Sequence, residues 1–240
     1  MTQSYLTDPS LSYLDDNYKR ITAEISEAAI KSGRPPSDVR LMAVTKTVSP
    51  LLINRMLSLG VDLMGENKVQ ELLGKLEFLD ADGVEKHIIG HLQSNKVRKI
   101  IDTVSMIQSV DSLSLIDEIS RQAKQHNTSM EILLEVNIGD EESKTGLDPA
   151  LLAEASHYAA EAEGVILKGI MCVPPICDEN EARKYFERTR RLYEDTASAL
   201  KGKAELSVLS MGMSSDFVPA ILEGATLVRV GSALFGARQY

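Results

Sequence analysis

The chain has 240 residues, 43% of them hydrophobic and 25% charged, with a formal net charge of -9. That is enough apolar material for a sizeable core, and the acidic balance argues against a general attraction to nucleic acid or an anionic membrane. Two cysteines, Cys172 and Cys177, cannot build a disulfide framework and lack the neighbouring histidines of a zinc site, so a reducing cytoplasm is expected.

Met1 to Ser10 is polar and acidic, unlike a secretory signal, and no apolar run reaches membrane-spanning length. From Leu11 to Lys31, apolar residues recur at steps of three and four, which predicts a helix stopped by Gly33-Arg34-Pro35-Pro36. A first strand follows over 41–46, and Ser49-Pro50 opens a helix through Leu59 with Ser49 as its cap. The second strand, Val61 to Gly65, leads through Glu66-Asn67 into an amphipathic helix reaching Leu79. His87 to Gly90 is the third, followed by a basic helix with Lys96, Arg98 and Lys99, read as a solvated face.

The fourth strand, Val104 to Val110, ends in Asp111-Ser112, which caps a helix to Gln125. The fifth, Glu131 to Asn137, is strongly apolar, and a loop from Ile138 to Leu147 precedes a helix start at Asp148-Pro149. Val165 to Cys172 is the sixth, with a charged helix from Asn180 to Leu200 after it. Leu206 to Met211 is the seventh, followed by a short helix from Ser214 to Glu223. Leu227 to Val230 is the eighth, and a short helix closes the chain after Gly231.

Eight strands alternating with helices most simply close into a single-domain (β/α)8 barrel spanning 1–240, with an extra helix at its N-terminus. A doubly wound open sheet is the alternative, but it would place a glycine-rich fingerprint after the first strand, and none stands there.

Functional groups of such a barrel gather at the carboxyl ends of its strands. Met42, Val44 and Lys46 share one strand face, so Lys46 points where apolar residues point. A desolvated lysine there suits Schiff-base chemistry with a carbonyl; capping the strand and snorkelling to water is the plainer alternative. Ser210 to Asp216 and Gly231-Ser232 put glycine and hydroxyls after strands seven and eight, where backbone N–H groups favour a phosphate. Ordinary helix capping by Ser214 and Ser232 would explain the same residues. Arg229 shares a face with Leu227 and Gly231, and needs either an anion or a buried carboxylate such as Glu135.

A lysine for an aldehyde, a cup for a phosphate and an arginine for a ring nitrogen together suit pyridoxal 5'-phosphate (PLP). The sequence also resembles the PLP homeostasis proteins, built like the N-terminal barrel of bacterial alanine racemase. The resemblance is carried by Ala43 to Thr47, Gly65 to Glu71, His87 to Lys96, Val136-Asn137-Ile138, Lys144-Thr145-Gly146, Leu209 to Ser214 and Val228 to Gly236, in family order. Lys68 departs from the tyrosine or arginine of many relatives.

The resemblance implies that Lys46 is the Schiff-base lysine and that Ser214 and Ser232, with the amides around Gly231, hold the phosphate. It also implies that Asn67 and Met211 line the ring pocket and that Arg229 meets the pyridine nitrogen. A cation at that nitrogen disfavours its protonation and makes the ring a poor electron sink. Related racemases draw a second base from an additional domain, for which a chain ending at Tyr240 has no room.

The expected function is therefore a PLP carrier or regulator of vitamin B6 and amino-acid homeostasis, monomeric, with apo PLP-dependent enzymes as partners. A slow amino-acid racemase is the second reading, and a cofactor-free aldolase using Lys46 the third.

Overall fold

A computed structural model describes residues 6, 8–139 and 145–236. The readings at Lys144 and at both ends of the chain, Met1 and Tyr240, lie outside the described residues. The opening amphipathic helix, α1 (Ser12–Lys31), buries Leu14, Ile21, Ile25, Ala28 and Ala29, the stripe that its three- and four-residue spacing dictates. The strands are β1 (Arg40–Val44), β2 (Leu63–Glu66), β3 (Glu85–Ile88), β4 (Met106–Val110), β5 (Met130–Val136), β6 (Val165–Cys172), β7 (Val208–Ser210) and β8 (Leu227–Val230). They form a closed parallel barrel in chain order, sealed where Met42 of β1 pairs with Arg229 of β8. Parallel crossovers of this kind need an intervening element, supplied by α2 (Pro50–Ser58), α3 (Val69–Lys75), α4 (Leu113–Gln125), α5 (Leu152–Glu161), α6 (Glu179–Ala199) and α7 (Phe217–Leu222), with a 3-10 segment, Ser94–Lys99, between β3 and β4. The last helix, α8 (Ser232–Phe235), follows β8 and packs on α1.

The barrel is thus the expected (β/α)8 fold with its added N-terminal helix. Outward-facing residues such as Ala43, Met64, Ile88, Ile107, Leu134 and Ile170 join the helices in one large apolar core. The interior is different. Met42, Leu63 and Leu227 form one small apolar cluster and Met106, Leu133 and Met171 another. Between them lie buried polar groups: His87, Gln108, Ser210 and Arg229.

Several boundaries differ from the expected ones, each for a local reason. Strand β1 stops at Val44, so Lys46 stands two residues beyond it. The helix expected from Ser214 begins at Phe217. Pro219 has no N–H to donate and is accommodated only in a first turn, which a start at Ser214 would not give it. The basic segment after His91 is a 3-10 turn, Ser94–Lys99, with its cations outside. Ser49 accepts no capping bond through its side chain; Pro50 at the first helical position suffices. By contrast Ser112 accepts a bond from the Leu115 amide at 3.4 Å, and Asp148 one from Ala150 at 2.8 Å, as expected of caps. No helix among the described residues is long and apolar enough to cross a membrane.

Candidate functional site

Lys46 lies on a backbone segment held from both sides. Lys75, one turn beyond Glu71 on α3, donates from Nζ to the Thr45 carbonyl at 2.8 Å, to Glu66 Oε1 at 2.8 Å and to Glu71 Oε1 at 2.7 Å. Thr45 Oγ1 adds a bond to Glu66 Oε1 at 2.8 Å, and the Thr47 amide donates to the Glu71 carboxylate. Thr47 has φ of 62°, a left-handed conformation that costs a β-branched residue about 1–2 kcal/mol. The cluster holds that strained residue and its neighbour Thr45 in place, fixing where the Lys46 side chain leaves the chain. Burial pushes the Glu66 carboxyl up, outweighing Lys75 and Thr45. Burial also acts on Glu71, but there Lys75 and the Thr47 amide win and hold the carboxyl low.

Across the barrel mouth, Arg229 is 3% exposed. It donates from Nη1 to Ser210 Oγ at 2.6 Å and from Nη2 to the Cys172 carbonyl at 2.8 Å. No carboxylate among the described residues stands in ion-pair range, so the alternative pairing with Glu135 is not formed. Burial lowers the guanidinium's pKa, yet an arginine remains a cation. Glu135 instead accepts from Thr145 Oγ1 at 2.9 Å, and its Oε2 has no hydrogen-bond partner among the described residues. Burial pushes this carboxyl up. The loop before Arg229 is set by Gly212, whose φ of 90° suits glycine and whose carbonyl accepts the Arg229 amide at 3.0 Å. A Cβ there would stand 2.6 Å from Ala220 Cβ.

The loops after β7 and β8 meet at Ser214. Its Oγ accepts from the Gly231 amide at 3.1 Å and the Ala233 amide at 3.3 Å. Ser214 therefore caps α8 from across the gap rather than the helix that follows it in sequence. Ser232 is the first residue of α8, exposed, and does not act as its cap.

Lys46, Asn67, Ser214, Arg229, Gly231 and Ser232 line one cleft of about 530 Å³ at the carboxyl ends of the strands, together with His91, Glu135, Val173 and Met213. A second hollow of about 390 Å³ shares Lys46, Gly231 and Ser232 but faces Tyr13 and Phe235. Met211 is the exception among the expected site residues. It is wholly buried in the outer core, and the methionine that reaches the cleft is Met213. Period-two alternation explains this: Ser210 faces the barrel axis, so Leu209 and Met211 face outward until Gly212 turns the chain. His91, with Nδ1 2.9 Å from Asp111 Oδ2, sits at the rim, and Lys68 is exposed. Cys172 is buried with its thiol pushed up to about 11, an inert sulfur.

The cleft's size suits a small cofactor, and its donors are chemically matched to one. An amine, a fixed cation, hydroxyls and apolar walls from Val44, Ile89 and Val173 fit a planar aromatic aldehyde bearing an anion. Among the described residues, no group of three or more metal-ligating side chains is assembled.

Residues 15–239 match the family described as the alanine racemase N-terminal domain. The pyridoxal phosphate homeostasis protein of Aquifex aeolicus is 39% identical over 226 residues, covering 94% of this chain and 98% of that protein. Its counterpart in Escherichia coli is 35% identical, covering 93% and 96%. Among solved structures, PipY of Synechococcus elongatus with PLP bound superposes with a TM-score of 0.78 at 34% identity, covering 88% of this chain and 100% of PipY.

Proposed function

The chain belongs to the pyridoxal phosphate homeostasis protein family, and from that membership we propose that it holds PLP covalently through Lys46 and serves intracellular vitamin B6 and amino-acid homeostasis. The observation that carries this reading is convergence. An amine at the end of β1, a buried cation on β8 and the joined loops after β7 and β8 open onto one cleft of cofactor size.

PLP supplies an aldehyde for covalent attachment, an anionic phosphate and an aromatic ring. Lys46 provides the amine, oriented by the clamp on Thr45 and Thr47. Ser214, Ser232 and the amides around Gly231 would hold the phosphate; Ser214 Oγ already accepts from the Gly231 and Ala233 amides, which leaves its proton to donate. Asn67 and Met213 flank the ring in place of Met211. Arg229 would meet the ring nitrogen as a cation that only donates, which would disfavour a proton on that nitrogen. This arrangement retains a cofactor better than it drives carbanion chemistry, so the protein is read as a carrier, monomeric and cytoplasmic, delivering PLP to apo-enzymes. Mixing the loaded protein with an apo PLP-dependent enzyme and following recovery of its activity tests this; a loaded protein that never yields its cofactor would contradict it.

A slow amino-acid racemase is the second reading, favoured by Glu135, a buried carboxyl in the same cleft with an unpartnered Oε2. Deuterium exchange at the α-carbon of amino acids separates the two. The carrier reading expects no exchange above that of free PLP.

A further inference from the structure

Arg229 does not end at Ser210. Ser210 Oγ lies 2.7 Å from Gln108 Oε1, and Gln108 Nε2 lies 2.9 Å from His87 Nδ1. The Ser210–Gln108 bond crosses the barrel between strands that are not neighbours, β7 and β4, and the Gln108–His87 bond joins β4 to β3. Gln108 and Ser210 are 0% exposed and His87 is 2% exposed, so the chain is shielded from bulk solvent.

The direction of the chain follows from its first member. A guanidinium only donates, so Ser210 must accept from Arg229 and donate its own proton onward to an acceptor. That acceptor is the Gln108 amide oxygen, which turns the amide's NH2 toward His87. His87 Nδ1 must then be the acceptor, leaving the ring proton on Nε2. Nε2 makes no hydrogen bond among the described residues, and Glu85 Oε2 stands 3.5 Å away. We infer that this one-way chain, Arg229 to Ser210 to Gln108 to His87, fixes His87 as its Nε2–H tautomer and makes Gln108 and His87 positioning residues for Arg229. Neither touches the cleft. Each acts by holding Ser210 as an acceptor, so that Arg229 Nη1 is tied inward and the guanidinium is held in one orientation at the cleft. The tautomer is the neutral one, in keeping with burial pushing the His87 pKa down.

The part of this inference that concerns the ring nitrogen rests on the PLP reading above; the tautomer does not, and the test separates them. In the first arm, side-chain 15N NMR is recorded on the full chain without cofactor at neutral pH. His87 should show a protonated Nε2 and a bare Nδ1; a proton on Nδ1 would overturn the chain.

In the second arm, PLP affinity and the visible spectrum of the bound cofactor are compared across His87→Leu, His87→Asn and wild type. His87→Leu removes the acceptor and should weaken binding about tenfold with a displaced band, while His87→Asn keeps an accepting oxygen near Nδ1 and should restore both. Equal affinity and spectrum in all three would leave His87 a packing residue and overturn its positioning role. If His87→Leu fails to fold, Gln108→Leu is read the same way. A wild-type protein that takes up no PLP refutes the proposed function and with it the positioning role, while the first arm still decides the tautomer and chain direction.

Discussion

Two cations near the cleft, half-buried Lys75 and buried Arg229, are accommodated in opposite ways. Lys75 meets two carboxylates and a carbonyl within 2.8 Å, so its charge is neutralised on the spot. Arg229 is more deeply buried and meets a hydroxyl and a carbonyl, with no counter-charge in range among the described residues. A neutralised cation exerts little field beyond its partners and serves to hold backbone. A cation solvated only by dipoles keeps its field for what enters the cleft. The proposed function accordingly gives Lys75 a structural part and Arg229 a part in binding.

The comparison breaks most sharply at Lys75. Lys75→Met leaves Glu66 buried without its counter-ion and should cost about 3–5 kcal/mol of stability, measured by urea unfolding. Adding Glu66→Gln should recover much of that loss, because the uncompensated charge is then gone. If the single variant is as stable as wild type, the clamp does not hold the Lys46 segment.

Arg229→Leu should behave in the reverse sense. Removing a buried, uncompensated cation should change stability by less than Lys75→Met does, while PLP affinity falls by about 1.5–3 kcal/mol, the scale of a lost charge-assisted hydrogen bond. Equilibrium dialysis alongside unfolding separates the two effects. Ser214→Ala should weaken phosphate binding by about 1–3 kcal/mol, since it removes a hydroxyl and loosens the joined loops. Unchanged affinity would mean that the phosphate sits elsewhere.

The smallest effect is in pH dependence, where the two carboxylates around Lys75 act with opposite signs. Glu71 is held below its ordinary value of 4.5, so the stability it contributes is complete above that value and is lost as pH falls through its folded value. Glu66 is pushed above 4.5, so its contribution is present at low pH and is lost as pH rises through its folded value. Glu71→Gln should therefore reduce the acid-side loss of stability, and Glu66→Gln should reduce the loss on the rising side. Urea midpoints taken between pH 3 and pH 7 would show it, and equal slopes in both variants would refute the assignment.

Much of this arrangement was legible in the sequence because it is local. Val165–Cys172 and Leu227–Val230 are bounded where apolar composition and flanking turns bound them, and Arg229 declares itself as a charge inside a buried strand. Lys46, Asn67, Ser214, Gly231 and Ser232 could be placed because barrel topology sends every strand's carboxyl end to one face. What stayed hidden depends on contacts between distant elements. The Glu71–Lys75 spacing marks a helical pair, but nothing local says that it reaches Thr45 and Thr47. Ser210, Gln108 and His87 read as ordinary strand residues until the barrel closes and brings β7 opposite β4. Met211 was misplaced for a different reason: its outward face follows from Ser210 facing in, a parity that strand alternation contains.

Lys46 is the residue on which PLP attachment depends in the proposed function. The visible spectrum of the purified protein should be recorded with and without added PLP, before and after borohydride, with peptide mapping of the reduced adduct. A yellow species trapped on the peptide carrying Lys46 is the predicted result. A protein that stays colourless with PLP present, or an adduct on another lysine, would contradict it.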